Sequence, residues 1–283
     1  MTQPFYKDTL TSTDWVSDHK DDRNVQLVEV DVDNTAYETG HIPGAIAWNW
    51  TTQLNDQTRR DILNGEQMAE LLGNSGITPD TMIILYGDNY NWFAAYAYWQ
   101  LKMFGHEPVK IMDGGHVKWE QENRTYTTDI PDVTPVTYEP TTLDQSTRAV
   151  QPEVAEAVKR SAALVDVRSP QEYSGDVIAP PGMTETAQRG GHIPGAANIP
   201  WSQAVNADGT FKSPEELKKL YADHGITPDK EVITYCRIGE RAAHTWFALH
   251  ELLGFQNVRN YDGSWTEWGS MIGVPIEKGN SDL

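Results

Sequence analysis

Gly40-His41-Ile42-Pro43-Gly44-Ala45 returns unchanged as Gly191-His192-Ile193-Pro194-Gly195-Ala196. A second stretch, GITPD at Gly76–Asp80, returns at Gly225–Asp229. Around these anchors the halves stay in step: LVEV (Leu27–Val30) answers LVDV (Leu164–Val167), and IMDGGHVKW (Ile111–Trp119) answers NYDGSWTEW (Asn260–Trp268). The offset is 137 residues at the first strand, 151 at GHIPGA and 149 from GITPD to the DGG/DGS segment. Identical stretches at nearly one offset make the chain a tandem duplication, and such self-similarity fixes the organisation before any local pattern is read.

Length agrees with two units. At roughly 100–200 residues per domain, 283 residues divide into two cores. Between the repeats, Asn123–Arg148 carries eight Thr and three Pro with little periodicity, the mark of a surface connector. We therefore expect an N-terminal domain over 1–122, a connector over 123–148 and a C-terminal domain over 149–283. Within each repeat short apolar runs alternate with helical patterns. Leu27–Val30, Thr81–Tyr86, Leu164–Val167 and Glu231–Tyr235 read as buried strands. Gln151–Ala163 and Ala242–Leu253 read as helices, and Ser213-Pro214-Glu215-Glu216 is a capping box that opens another, ending near His224. This alternation predicts an α/β fold, a parallel sheet covered by helices in each repeat.

Composition removes several function classes. With 41 acidic and 22 basic side chains the formal charge is −19, which repels nucleic acid and anionic membrane surfaces. The start, MTQPFYKDTL, has no apolar stretch of signal-peptide type, and no run approaches the roughly 18 apolar residues of a membrane span. A soluble, cytoplasmic protein is expected. Cys236 is the one cysteine, so no internal disulfide can form. Eight scattered histidines without paired helical spacing give no metal site.

The halves differ where an α/β protein places its ligand, at the loop leaving a strand's carboxyl end. In the second repeat this junction is Tyr235-Cys236-Arg237-Ile238-Gly239-Glu240-Arg241-Ala242; in the first it is Tyr86-Gly87-Asp88-Asn89-Tyr90-Asn91. A loop of about six residues turning into a helix N-terminus aims backbone N–H groups inward and favours an anion. Arg237 and Arg241 add positive charge, partly offset by Glu240. Such surroundings are expected to lower the thiol pKa and supply a nucleophilic thiolate. The second repeat is also fourteen residues longer between its first strand and GHIPGA. That insertion ends at Arg189, which we expect to overhang the cysteine as a substrate cation.

Taken in order, GHIPGA in both halves, LVDVRSPQEY (Leu164–Tyr173), CRIGER (Cys236–Arg241) and YDGSWTEW (Tyr261–Trp268) resemble the tandem-domain rhodaneses, thiosulfate sulfurtransferases. The resemblance covers nearly the whole chain. It implies an inactive N-terminal and an active C-terminal domain, each a five-stranded parallel sheet flanked by helices; Gly87 in place of a cysteine agrees. It further implies that Cys236 takes the outer sulfur of thiosulfate as a persulfide and passes it to cyanide or a thiol acceptor. The amides of Arg237, Ile238, Gly239, Glu240 and Arg241 would cradle the persulfide, with no bound metal or organic cofactor. Arg237 matches the thiosulfate-using pattern, whereas mercaptopyruvate-using members tend to have a small residue there. Ile238 departs from the lysine often found third in the loop, and Arg241 stands where a hydroxyl residue is common. A 3-mercaptopyruvate sulfurtransferase is therefore the alternative. Cys236 to Arg241 is C-x4-R, one residue short of the C-x5-R of phosphate-gripping enzymes, which disfavours a phosphatase. A non-catalytic binding module is the remaining alternative. Asp166 and Arg168 read as structural ion partners, His244 as a packing histidine, His41 and His192 as turn-fixing groups, and Asn91–Trp99 as core.

Overall fold

The structure is a computed structural model that describes residues 8–180 and 186–279. Two compact units emerge, one built from 8–144 with 207–211, the other from 145–206 and 212–279. The first holds five parallel strands: β1 (Leu10–Thr11), β2 (Val25–Asp31), β3 (Ile46–Asn49), β4 (Met82–Tyr86) and β5 (Val109–Met112), in the order β1-β5-β4-β2-β3. The second holds β6 (Ala163–Asp166), β7 (Ala197–Asn198), β8 (Val232–Tyr235) and β9 (Val258–Asn260), in the order β7-β6-β8-β9, again parallel. Ile83–Tyr86 and Val232–Tyr235 are buried throughout, as continuous apolar runs should be in a sheet covered on both faces.

The second sheet has four strands where five are expected. Its missing edge strand is reduced to one parallel bridge, Arg148 to Asn260, held by Ala149 N–H to Asn260 O (2.9 Å) and Asn260 N–H to Thr147 O (2.8 Å). Two bonds fix the edge but are too few for a strand.

Residues 123–144 run along the first unit. Thr127 forms an antiparallel bridge with His41, and Val136 N–H bonds Gly73 O at 2.9 Å. The approach is so close that a Cβ on Gly65 or Gly73 would lie 2.5 or 2.6 Å from a carbonyl of this segment. Glycine is required at both positions for backbone to pass backbone.

Each GHIPGA turn is tied down identically. His41 stacks on Tyr37 at 3.7 Å and His192 on Tyr173 at 3.6 Å, each with Nδ1 2.8 Å from the carbonyl of that tyrosine. The Tyr37 hydroxyl donates to Ala45 O and the Tyr173 hydroxyl to Ala196 O. Ile42 and Ile193 donate to the hydroxyls of Tyr86 and Tyr235, on the central strands. The repeated sequence is thus a repeated clamp between turn and sheet. Helices form as their caps dictate: Ser213 accepts from Glu216 N–H and Glu216 reaches back to Ser213 N–H, opening Pro214–Asp223. The aromatic stretch after the first repeat's loop becomes the helix Trp92–Met103, buried from Phe93 to Leu101.

In both sheets the chain leaves the two central strands in opposite directions, β6 toward β7 and β8 toward β9. The carboxyl ends where the order reverses are the place at which an open α/β sheet takes its ligand. Cys236 follows β8 at that point in the second unit, buried, and Gly87 follows β4 in the first.

Candidate active site

The loop after β8 is shorter than its sequence suggests. It spans Cys236–Gly239, and a helix already begins at Glu240 (Glu240–Phe247). Gly239 closes it in the left-handed region with φ 100°. A Cβ there would come within 2.8 Å of Asp262 Cα, so the sharp entry into the helix needs glycine on two counts. Gly239→Ala is expected to lose about 1–3 kcal/mol of stability by backbone strain, read as a lower unfolding midpoint in urea. An unchanged midpoint would show that the loop has another stable path.

Ser264 anchors the cysteine backbone: its hydroxyl accepts Cys236 N–H at 3.0 Å and donates to Tyr261 O at 2.6 Å. The amides of Trp265 and Thr266 cap the carbonyls of Cys236 and Arg237 at 3.1 and 3.0 Å. YDGSW therefore holds the loop from behind. Asp262 of that segment takes Arg148 in a two-pronged ion pair, Nε–Oδ1 and Nη2–Oδ2 both 3.0 Å.

Cys236 is 0% exposed. Gly239 N–H donates to Sγ at 3.1 Å, while Sγ–H donates to Glu240 Oε2 at 3.3 Å. Burial and then the Glu240 carboxylate push the thiol up to about 11, against Arg241 and the amides of Ala242 and Gly239. The thiol is thus pushed up where a lowering was expected, and its hydrogen-bond partner is the Glu240 side chain. Glu240, read from sequence only as an offsetting charge, is the partner of the reactive hydrogen. Ala242 lay outside the amides expected to cradle sulfur. Its N–H is a first-turn donor of a helix starting at Glu240, free of an intrahelical partner and directed to the sulfur; the sequence did not reveal that start.

The arginines are placed unequally. Arg241 is buried and forks onto Glu172 at 3.0 and 3.1 Å, with Nε 3.5 Å from Glu240 Oε1. Against the cost of burial, this fork holds Glu172 below its ordinary range. Arg241 therefore links Glu240 to the RSPQEY segment and acts on the thiol through its charge. Arg237 follows the cysteine and is also buried. Arg189 is used elsewhere: its guanidinium donates to Gly269 O at 3.0 Å, to Trp268 O at 3.5 Å and to Met271 O. Its expected place over the cysteine gives way to a clamp on residues 268–271, because three carbonyls already engage it. Part of the insertion before it, residues 181–185, lies outside the described residues. Arg189→Ala should leave the KM for an anionic donor unchanged and cost about 1–3 kcal/mol of stability. A raised KM with unaltered stability would return Arg189 to the substrate.

Asp166 and Arg168 form a fully buried pair, Nη2 to Oδ2 2.5 Å, with Nη2 also donating to Gly191 O and the guanidinium 4.6 Å over the Trp265 ring. They brace β6 against GHIPGA. His244 is buried edge-on to Trp201 at 5.9 Å and is pushed down to about 3 by burial, so it stays neutral and packs.

The first unit carries different groups at the same sheet ends. Gly87 occupies the cysteine position, and a Cβ there would meet Val30 O at 2.3 Å and Asp31 Oδ1 at 2.7 Å. Restoring cysteine is thus blocked first by the Val30 carbonyl and then by the Asp31 side chain. Burial first, then the neighbouring Asp88 and Glu29, push Asp31 up to about 10.

Comparisons with known proteins show the family of the chain. The family described as Rhodanese-like domain matches residues 12–122 and 150–271. A Haloferax volcanii protein named "Putative thiosulfate sulfurtransferase" is 55% identical over 281 residues, 98% of each chain. "Sulfur carrier protein TtuD" of Thermus thermophilus is 50% identical over 279 residues, 97% of this chain and 98% of that one. Among solved structures, a variant of EanB complexed with ergothioneine covalently linked to a persulfide cysteine superposes with a TM-score of 0.83. It is 25% identical, covering 100% of this chain and 72% of that one.

Proposed function

The chain belongs to the rhodanese family, whose curated relatives carry sulfurtransferase names, and we propose that it moves a sulfane sulfur from thiosulfate through a persulfide on Cys236. One observation carries the reading: the thiol lies against a backbone amide and a carboxylate together, Gly239 N–H at 3.1 Å and Glu240 at 3.3 Å. The carboxylate takes the thiol proton as Sγ attacks the outer sulfur of thiosulfate. The thiosulfate S–S bond breaks, its electron pair leaves with sulfite, and the proton held by Glu240 passes to sulfite, which departs as bisulfite. Cys236 is left as an anionic persulfide, the species the loop amides and the helix N-terminus favour. Cyanide then attacks the terminal sulfur and leaves as thiocyanate, or a thiol leaves as its own persulfide, and the regenerated thiolate regains its proton from solvent.

Glu240 explains how one buried site serves both halves of the cycle. A thiol carries no charge to bury while it waits, and charge appears only when the donor supplies it. Because Cys236 is covered, turnover includes an opening step that admits the donor. The Thermus thermophilus relative's name as a sulfur carrier supports a protein thiol as a further acceptor class. No helix among the described residues is long and apolar enough to cross a membrane, and a single reactive thiol fits the reducing cytoplasm.

A donor comparison with cyanide as acceptor tests the reading. Thiosulfate is expected to give the higher kcat/KM, on the strength of Arg237 in the second loop position. A preference for 3-mercaptopyruvate would overturn the donor assignment and leave sulfur transfer standing.

A further inference from the structure

The duplication reverses charge at the carboxyl ends of the first unit's strands. At the first-strand offset of 137, Glu29 and Asp31 stand where the second unit has Asp166 and Arg168; at the later offset of 149, Asp88 and His116 stand where it has Arg237 and Trp265. Two arginines have become two aspartates, and the ring beneath the guanidinium has become an imidazole. An end of the sheet built for an anion carries, in the other copy, groups suited to a cation.

The geometry goes further than composition. One ligand atom each from Glu29, Asp31 and His116 lie within 4.8 Å of one another. Glu29 is 1% exposed and Asp31 3%. Neither has a lysine or arginine partner among the described residues, whereas Asp166 has Arg168. Both Glu29 carboxylate oxygens, Asp31 Oδ2 and His116 Nε2 lack a well-aligned hydrogen bond, although the Tyr86 hydroxyl approaches Glu29, the Asp88 carboxyl approaches Asp31, and Nε2 lies 2.9 Å from Glu29 Oε1. Buried polar oxygens that lack well-aligned hydrogen bonds are costly, and a positive group between these would satisfy them.

His116 is oriented for that task. Its Nδ1 lies 2.8 Å from the Tyr126 hydroxyl, whose own hydrogen is directed to His116 O at 3.5 Å. With Nδ1–H donating to that hydroxyl, the Nε2 lone pair on the Glu29 side is available to an ion. A histidine fixed by a bond at its other nitrogen is the usual arrangement at metals. Asp88 adds a third carboxylate: its N–H donates to Asp31 Oδ1 at 2.7 Å, fixing that aspartate so that Oδ2 points away. The imidazole is the most exposed of the three ligands, giving an ion a route from solvent.

We propose that Glu29, Asp31 and His116 form a binding site for a divalent first-row cation, with Mn2+ as its representative, at the carboxyl end of the first unit's sheet. Two carboxylates and one imidazole make a hard-to-borderline donor set that suits such ions and leaves coordination positions for water. Sequence patterns miss the site because its ligands come from alternate residues of β2 and from the helix Gly115–Gln121, far apart in the chain.

The test is a Mn2+ titration of the full chain carrying Cys236→Ser, which removes the thiol as a competing ligand, followed by the electron paramagnetic resonance of free Mn2+. One ion per chain is expected, with a rise in melting temperature that EDTA reverses. Glu29→Gln and Asp31→Asn should each weaken Mn2+ binding more than about tenfold and abolish the temperature rise, and Tyr126→Phe should weaken it about tenfold through the histidine. Both amide variants keep the shape of the side chain and add no charge, so without metal they should melt no lower than the parent, which separates lost binding from lost folding. Absence of saturable Mn2+ binding in the parent, or equal binding in Glu29→Gln and Asp31→Asn, would overturn the proposal.

Discussion

Cys236→Ser is expected to abolish sulfur transfer, lowering kcat/KM for thiosulfate by at least about a thousandfold while the protein still folds. The hydroxyl can keep the bonds that position the side chain, since Gly239 N–H can donate to its oxygen and Glu240 can accept its hydrogen. It cannot form a persulfide at neutral pH. No second thiol exists to take over, because Cys236 is the one cysteine in 283 residues. Retention of more than a few per cent of the activity would mean that sulfur moves without visiting this atom.

Glu240→Gln is expected to move two measurements in opposite directions. Burial and the Glu240 carboxylate raise the thiol to about 11, so removing the negative charge lowers it and increases the thiolate present at a given pH. Alkylation of Cys236 by iodoacetamide at pH 8 should accelerate about tenfold for each unit of that fall. Turnover with thiosulfate should drop about a hundredfold, because the amide neither takes the thiol proton nor delivers one to sulfite. Faster alkylation with faster turnover would leave Glu240 only as an electrostatic brake. Stability carries the same sign. A group held protonated in the folded state, with a folded value raised above its unfolded one, stabilises below the unfolded pKa; that contribution is lost as pH rises through about 11. Wild-type stability should decline with pH from about 9 to 11 by more than that of Glu240→Gln.

Much of this was legible in the chain itself. The duplicated GHIPGA and GITPD stretches located both units, because a turn clamped to a central strand by a tyrosine hydroxyl needs the same residues wherever it recurs. Cys236 was legible because it falls on the loop residue where an α/β sheet reverses its strand order. The thiol's charge state was not. Spacing showed two arginines near a cysteine, whereas the fold directs Arg241 to Glu172 and turns Glu240 to the sulfur, since the helix begins two residues earlier than its apolar pattern suggests. Arg189 failed for a related reason. A loop arginine read as a free cation finds three carbonyls in the fold and spends its charge there. The missing strand of the second sheet follows from an edge segment that makes only a single bridge.

The central claim is a covalent one, so the most direct measurement is intact mass. Wild-type protein incubated with thiosulfate, freed of excess donor and sprayed without reductant should gain the mass of one sulfur atom, mapped by peptide analysis to Cys236. Cyanide should remove it with release of thiocyanate. Cys236→Ser should gain nothing. An unchanged wild-type mass, or the same adduct on the serine variant, would contradict the account.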